Sequence, residues 1–473
     1  MDLNKEIEKV TTSFGNYTLA GSDTFASLLQ RFMESHPGYI TSDNLRDFFR
    51  TSIGRFLYSY GTGLSYKSKK FSDNYNEKIL YSLNKFMKFD FMDAATLYLD
   101  SGGFQVAQGA VKIEDIPRFI EMYYSFIEQN HELFSYAFLL DIPPGAGPNT
   151  FNASSTDLYN LNKLSYERAL KVPLEIRRDK LIYIHHFRTP NIYNVWTKLL
   201  IKDDLAKDYT YFGTGGLVSF GASDITIPAI LYCIPLSTII THCKKNKLNS
   251  FKFHVLGGAN LIDILYHQLF SKHIKEFHGI DCLISYDSSS VFKGAFNGRY
   301  INTIKEDGSI VKMSFKSNEM HIRYDNNFTV EEKMYDVLNR VASLHNIKLL
   351  DPKEVPIYDS VTGTLSRQVT NYLLLEVLQL YKDVEEESKI LSEQLYKTYQ
   401  TGSVENFNKQ ALEITKKFNQ GKNTKKQRSK TFSIYNSLKM LENLDEKYGE
   451  YIISHYMSGG DSSKYEEGGC IQF

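Results

Sequence analysis

The hexapeptide DSGGFQ at residues 100–105 directly follows the apolar run Ala94–Leu99. A run of this kind is typical of a buried strand. The hexapeptide supplies a carboxylate, two glycines that let the backbone approach a ligand closely, and the Phe104 ring, which can stack on a flat molecule. The alternative interpretation is an Asp that caps the next helix after a glycine turn. The pattern in the rest of the chain distinguishes the two.

Similar apolar runs recur along the chain, and each leads into a polar residue or a glycine. Successive runs end 30 to 44 residues apart, which leaves room for one crossover helix in each interval. Strands that alternate with helices in this way form parallel sheets. The runs end near Asp100, Asp141, His185, Gly215, Gly257 and Asp287, and one more precedes them at Phe56–Tyr60.

These seven runs, with an eighth strand expected after Asp287, predict an α/β fold of the (β/α)8 TIM-barrel type, in which chemical groups gather at the carboxyl ends of the strands. The alternative is a doubly wound open sheet, but the first run is not followed by the glycine-rich phosphate loop expected there. We predict a helical N-terminal extension at residues 1–55 and the barrel at 56–385. A helical, basic C-terminal extension follows at 386–473. Within the barrel, the turn EDG at 306–308 indicates a hairpin, part of an insert near 299–365.

Composition limits the compartment and the partners. Among 473 residues, 55 basic and 55 acidic side chains give a formal net charge of zero, so nucleic acid has to bind local patches. The four cysteines share no disulfide or metal-binding spacing, which indicates a reducing compartment. The N-terminus has no apolar signal core. The most apolar stretch, Ile225–Ile240, is short and contains two prolines, which predicts a buried helix. We expect a soluble cytoplasmic protein without membrane contact.

The C-terminal region has a basic run followed by an amphipathic pattern. Residues Ile414–Lys430 include seven basic side chains and no acidic one. This run predicts a phosphate-binding patch, and the alternative is a solvated linker. The spacing of the next apolar residues predicts one face of a helix, formed by Ile434, Leu438, Leu441 and Leu444.

The segment DSGGFQV at 100–106 resembles the signature of the tRNA-guanine transglycosylase superfamily, whose members exchange a guanine in nucleic acid for a 7-deazaguanine. Later segments resemble the family's in the same order over about residues 56–320. They are LD at 140–141 with its prolines, GGL at 215–217, LG at 256–257, and YDS at 286–288 continuing to NGRY at 297–300, which is most similar to the nucleophile segment of the archaeal branch.

The resemblance implies that Asp287 is the nucleophile and Asp100 the general acid/base. Cleavage of an N-glycosidic bond develops positive charge at C1′, which a carboxylate can capture covalently. Retaining glycosidases use two carboxyl groups in these roles. In this scheme guanine leaves, the incoming base gives its N9 proton to Asp100, and two inversions give net retention. The alternative for Asp287 is an N-cap on a helix begun by the following serines.

The resemblance also implies a set of base-binding residues. Asp141 would accept from N1–H and the exocyclic amine of a guanine-like ring, while backbone N–H groups donate to O6. Two apolar side chains would sandwich the ring. His185 stands where the family has a Gln, so it is either a donor to O6 or a core histidine. The full set is Ser101, Phe104, Asp141, His185, Gly215, Gly216, Leu217, Leu256 and Gly257.

One departure from the tRNA enzymes bears on the substrate. Those enzymes hold zinc with three clustered cysteines and a distant histidine, but no cysteine lies between Arg299 and Tyr381, and Asn371 stands near the histidine position. We therefore expect no structural zinc and no cofactor.

The chain resembles more closely the DNA-modifying branch, the phage-type 7-deazaguanine DNA transglycosylases. This implies two partners: DNA with a flipped or single-stranded guanosine, and a free 7-deazaguanine base. A phage-encoded protein would act in the host cytoplasm. The alternatives are a tRNA enzyme without zinc, a non-catalytic partner subunit, and a glycosidase that hydrolyses. The residues expected to contact DNA are Lys293, Arg299, Lys422, Lys425, Lys426 and Arg428.

Overall fold

Eight parallel strands form a closed barrel in the computed structural model of the chain, and they follow one another around it in sequence order. The strands are β1 (Tyr17–Ala20), β2 (Arg55–Ser59), β3 (Thr96–Asp100), β4 (Tyr136–Phe138), β5 (Leu181–His186), β6 (Tyr211–Gly215), β7 (Ser250–Val255) and β8 (Asp281–Ser288). The structure describes residues 17–20, 22–51, 54–64, 72–143, 154–186, 190–215, 233–258, 261–288, 300–304, 310–314, 323–324, 328–329, 339–340, 342–344, 346–349, 367–419 and 424–444.

Helices follow most of these strands, as expected of a (β/α)8 fold. Short 3-10 turns occur at Tyr60–Gly63, Met92–Ala94, Ile113–Asp115 and His131–Leu133, and a π-helical turn at Lys198–Lys202. The α-helices are α1 (Ser22–Ser35), α2 (Ser42–Thr51), α3 (Tyr75–Met87), α4 (Gly103–Ala107), α5 (Ile116–Asn130), α6 (Ser155–Ala169), α7 (Leu174–Lys180), α8 (Pro190–Thr197), α9 (Cys233–Lys245), α10 (Leu261–His278), α11 (Arg367–Gln400), α12 (Val404–Asn419) and α13 (Thr424–Asn443).

The predicted barrel is confirmed, but the eighth strand is not where the sequence predicted it. The closing strand is β1, which precedes the seven predicted runs and lies within residues 1–55, whereas we expected it after Asp287. β1 pairs in parallel with β2 through Leu19 and Phe56. Its four residues are too few for a periodic signal, and only pairing with strands distant in sequence identifies them as part of the barrel.

The hairpin predicted after the last barrel strand is present. β9 (Tyr300–Ile304) pairs antiparallel with β10 (Ile310–Ser314), with Ile304 opposite Ile310. Its turn lies outside the described residues. A second short antiparallel pair follows, β11 (Arg323–Tyr324) with β12 (Phe328–Thr329).

The chain divides into two compact units by contact density. One comprises Met1–Tyr58, Ile79–Leu97 and Asp287–Glu387, and the other comprises Ser59–Lys78, Tyr98–Tyr286 and Ser388–Phe473. In the first unit, Arg340 pairs at 2.7 Å with Glu376, which is fully buried on α11. Burial raises the pKa of Glu376 to about 7, and the guanidinium of Arg340 opposes that increase.

Helices α12 and α13 belong to the second unit, where α13 packs on α9, α10 and α12. The predicted apolar face is buried at Ile434, Leu438 and Leu441. Two histidines of α10 contact the α13 backbone, with His273 Nε2 3.0 Å from the Leu438 carbonyl oxygen and His278 Nε2 2.6 Å from that of Leu441. The C-terminal half of α13 is therefore packed against α10.

The apolar stretch Ile225–Ile240 coincides with α9 from Cys233 onwards, and this part is buried as predicted. Residues 225–232 lie outside the described residues. Among the helices in the described part of the chain, none combines the length and the apolar character needed to cross a membrane.

Replacing Leu438 with Ala should lower the free energy of unfolding by about 2–5 kcal/mol, because the substitution leaves a cavity between α13 and the helices beneath it. Urea denaturation followed by circular dichroism measures the change. Leu164→Ala on α6 is the matched control, since Leu164 is 42% exposed and its truncation should cost no more than about 0.5 kcal/mol. Equal effects of the two substitutions would contradict the docking of α13.

Candidate functional site

Asp100 is the last residue of β3, and a hydroxyl group from the end of β2 holds its carboxylate. Ser59 Oγ donates to Asp100 Oδ2 at 2.5 Å and accepts from the N–H of Gly61 at 3.2 Å. The turn that follows Ser59 is itself anchored, because Tyr75 OH donates to the carbonyl oxygen of Tyr60 at 2.5 Å. The carboxylate therefore has a fixed donor on one oxygen.

The two glycines after Ser101 bring the ends of β3 and β4 together. Gly102 has a φ of +78°, and a Cβ atom there would lie 2.7 Å from the Cα of Gly61. At Gly103, a Cβ atom would lie 1.8 Å from the carbonyl oxygen of Asp141. Neither position has room for a side chain. The glycines thus allow the loop after β3 to press against the loops after β2 and β4.

The helix-cap interpretation of Asp100 does not apply. α4 begins at Gly103, its N-cap residue is Gly102, and that cap makes no side-chain hydrogen bond. Ser101 Oγ instead accepts from the N–H of Gly103 at 3.2 Å. The Asp100 carboxylate faces Ser59 rather than the helix.

Asp141 follows β4 and forms a buried pair with a histidine. Its Oδ2 atom lies 2.6 Å from His186 Nε2, and its Oδ1 atom is 3.4 Å from the hydroxyl of Ser101. Asp141 is 8% exposed and His186 3% exposed. The His186 and Trp196 rings also form a T-shaped pair, with ring centroids 4.8 Å apart.

The loop that carries Asp141 is held by buried side chains. Asn162 on α6 accepts from the N–H of Ile142 at 2.8 Å and donates to its carbonyl oxygen at 3.1 Å. At Leu140, Tyr124 OH accepts from the N–H at 3.2 Å and Ser165 Oγ donates to the carbonyl oxygen at 2.6 Å. These bonds satisfy backbone groups that no strand pairs, so the loop is rigid around Asp141.

His185 and His186 occupy adjacent positions of β5 and have different surroundings, since successive strand residues point to opposite faces. His185 is fully buried, with Nε2 3.3 Å from Thr197 Oγ1 and its ring 5.7 Å from that of Tyr193. Burial lowers the pKa of His185 to about 3, with a further contribution from His186. These contacts favour the core-histidine alternative for His185 and place His186 beside Asp141.

Other predicted base-binding residues lie in the loops after β3, β6 and β7. Phe104, on α4, is 59% exposed, so its ring is open to a partner. Gly215 is the last residue of β6, and Gly216 and Leu217 lie outside the described residues. Leu256 is half-buried after β7, and Gly257 has a φ of +77°, which favours glycine.

Asp287 lies in β8, in the other compact unit, and is 7% exposed. Ser288 is also a strand residue, so Asp287 does not cap a helix. Within the same unit, burial raises the pKa of Tyr17 well above its usual range, and the Asp287 carboxylate adds to the increase. Tyr17 of β1 is therefore an electrostatic neighbour of Asp287, which the sequence had not indicated.

The predicted DNA-binding residues are only partly within the described chain. Lys425, Lys426 and Arg428 lie on α13, near its N-terminus, and Lys422, Lys293 and Arg299 lie outside the described residues. Within the basic run, residues 414–419 and 424–430 are helical.

Sequence reasoning missed Ser59 and His186, although a signal existed for each. Ser59 is the last residue of the β2 run, and His186 directly follows the histidine that we selected.

No cluster of three or more His, Cys, Asp or Glu side chains suited to a metal ion occurs among the described residues. The chain matches no family model and no curated protein.

Asn162→Ala should lower the free energy of unfolding by about 2–6 kcal/mol, because it leaves the buried N–H and carbonyl of Ile142 unpaired and each such group costs about 1–3 kcal/mol. Urea denaturation measures the change. Asn130→Ala is the control, since Asn130 Nδ2 makes a single half-buried bond to the Phe126 carbonyl oxygen. If the two variants unfold at the same urea concentration, the loop does not depend on Asn162.

Proposed function

We propose that the protein is a DNA-guanine transglycosylase, which exchanges guanine in DNA for a 7-deazaguanine base through a covalent glycosyl-enzyme intermediate. The observation that carries the proposal is that carboxylates follow the adjacent strands β3 and β4, and that the loops bearing them are in contact. Asp100 is held by Ser59, and the next residue, Ser101, lies 3.4 Å from the Asp141 carboxylate. One carboxylate for proton transfer and a second for reading a base edge are what this exchange requires at one place.

The proposed reaction uses Asp287 and Asp100 in succession. Asp287 attacks C1′ of the deoxyguanosine, the glycosidic bond breaks, and Asp100 protonates the departing guanine. Asp100 then takes the N9 proton of the incoming 7-deazaguanine, whose nitrogen attacks C1′ and releases Asp287. Each of the two residues belongs to the carboxyl end of its own barrel strand, the position at which (β/α)8 enzymes carry catalytic groups.

Base recognition is assigned to Asp141, Phe104 and the loops after β6 and β7. A carboxylate such as that of Asp141 accepts hydrogen bonds and donates none. In a guanine-like ring, N1–H and the 2-amino group are adjacent donors. Phe104 offers an exposed aromatic face for stacking. A buried acceptor pair and an open ring suit a flat base that presents two neighbouring N–H groups.

The basic residues at the start of α13 are consistent with the proposal of a polyanionic substrate. Its first turns contain Lys425, Lys426 and Arg428 and no acidic side chain. Basic residues at a helix N-terminus are unfavourable for the helix, since that end already carries partial positive charge, but they favour a bound phosphate. The lack of clustered cysteines favours DNA over a tRNA enzyme of the zinc-containing type. The presence of both Asp100 and Asp287 argues against a subunit without catalytic function.

Incubation with radiolabelled guanine and either DNA or tRNA tests the proposal. We expect label to enter single-stranded DNA, or duplex DNA in which guanine can flip. Exchange confined to tRNA would replace the DNA assignment with a zinc-less tRNA enzyme. Release of guanine without incorporation would indicate a hydrolase, and no reaction with any polymer would contradict an enzymatic role.

Asp287→Asn should abolish exchange and the covalent adduct, because the amide does not attack C1′. Asp100→Asn should slow exchange by about 10²–10⁴-fold, the usual contribution of a positioned acid or base. Initial rates of label incorporation and a denaturing gel of the DNA adduct measure these effects.

Asp281→Asn is the matched control for this experiment. Asp281 begins the same strand and pairs with Lys275 at 2.7 Å on the surface, so the variant should keep its exchange rate. A denaturation-resistant DNA adduct formed by Asp287→Asn would show that another residue is the nucleophile.

Replacement of Lys422, Lys425, Lys426 and Arg428 with Ala should weaken DNA binding equally for all sequences. The slope of log K against log salt should become shallower by about 0.9 per lost phosphate contact on a duplex, or about 0.7 on a single strand. Fluorescence anisotropy across a salt series measures the slope. The control replaces four exposed lysines elsewhere, Lys85, Lys88, Lys171 and Lys207. An unchanged slope in the first variant would exclude this patch from the DNA site.

A further inference from the structure

His186 is the buried partner of the carboxylate that we assign to base recognition. Its Nε2 atom lies 2.6 Å from Asp141 Oδ2, within the range of a charge-assisted hydrogen bond. In this pair the imidazole N–H of His186 donates and the carboxylate oxygen accepts. Within the described part of the chain, the remaining oxygen, Oδ1, has only the longer 3.4 Å contact with the Ser101 hydroxyl. Asp141 thus keeps acceptor capacity for a ligand while one of its oxygens is anchored.

The position of the His186 ring is built into the barrel. Gly215 pairs with His186 in the register of β5 with β6, and a Cβ atom on Gly215 would lie 2.5 Å from His186 Cε1. On α8, the Trp196 indole contacts the ring and is itself fixed by a 3.2 Å hydrogen bond to Tyr166 OH. A glycine that makes room and an anchored indole therefore hold the imidazole against Asp141.

We propose that His186 is a positioning residue that makes the base pocket selective for 2-amino-6-oxopurines, a class that includes guanine and 7-deazaguanines. By holding Asp141 in one orientation, His186 points the free acceptor sites of the carboxylate at N1–H and the 2-amino group together. A base without the 2-amino group leaves one acceptor site of a buried carboxylate unpaired, which is costly. This inference rests on the proposed function for the identity of the ligand.

Without His186, Asp141 loses its strongest donor while it remains buried. The carboxyl group then rotates toward other donors, since an unpaired buried polar group is unfavourable. A rotated group no longer offers two acceptors to the base edge. The pocket should therefore lose its preference between bases more than it loses general affinity for purines.

Calorimetric titration of the full-length protein with guanine and with hypoxanthine, which lacks the 2-amino group, tests the inference without requiring turnover. His186→Ala should reduce the ratio of the two association constants by about tenfold or more, the loss expected from a charge-assisted bond. His186→Gln, whose amide can donate to the same oxygen, should retain the ratio within about threefold.

Gly215→Ala provides an independent variant, since it keeps the imidazole and displaces it. It should lower the ratio as His186→Ala does. The double variant His186→Ala with Gly215→Ala should be no worse than His186→Ala alone, because both substitutions act through one contact. His242→Ala is the control for loss of a buried imidazole, because the His242 ring on α9 packs against Phe212 and its Nε2 atom lies 3.2 Å from Asn246 Nδ2. Its ratio should equal that of the unmodified protein.

The outcomes separate this inference from the proposed function. Exchange activity with an unchanged ratio in His186→Ala overturns the role of His186 and leaves the transglycosylase proposal standing. Selective guanine binding without exchange overturns the transglycosylase proposal, and the His186→Ala ratio still decides the role of His186. Binding of neither base by the unmodified protein overturns both. An additive double variant would overturn the claim that Gly215 acts by placing His186.

Discussion

The backbone contact between Gly103 and the carbonyl oxygen of Asp141 is the constraint on which the site depends. A Cβ atom at residue 103 would lie 1.8 Å from that oxygen, far inside van der Waals contact. Only glycine allows the loop after β3 to reach the loop after β4, and this approach puts Ser101 beside the Asp141 carboxylate. Gly102 makes the same kind of approach to Gly61, and it adopts a φ of +78° that other residues avoid. The consecutive glycines therefore serve packing as much as they serve ligand access.

A close approach of backbones is stable only if the buried polar groups around it find partners. Asn162, Ser165 and Tyr124 provide these partners for residues 140–142 after β4. Tyr123 on α5 is a further buried partner in this region. Burial raises the pKa of its phenol, and neighbours that include Asp100 and Asp141 add smaller contributions. Its hydroxyl donates to the Phe138 carbonyl oxygen at 2.6 Å. The carboxylates therefore lie on a rigid support, which a site that positions reacting atoms requires.

The sequence pattern could not predict which of the two histidines at the end of β5 faces Asp141. The adjacent histidines are equally polar, and the sequence favoured His185 because of its place in a motif. Strand alternation sends the two rings in different directions, and the space left by Gly215 admits only His186 toward Asp141. His185 is then a neutral ring in an apolar setting. The choice between them depends on which neighbours close around each ring, and neither residue's own type carries that information.

The sequence by itself determined the fold class, seven of the eight barrel strands, the hairpin of β9 and β10, and the carboxylates at the ends of β3, β4 and β8. It did so because apolar runs with regular spacing and polar ends are local signals that survive without knowledge of the fold. The closing strand β1, the donor Ser59, the His186 partner of Asp141 and the Tyr17 neighbour of Asp287 were decided only by the tertiary structure. Each depends on a contact between segments far apart in the chain, and strand pairing, face alternation and the room left by a glycine create such contacts only once the barrel closes.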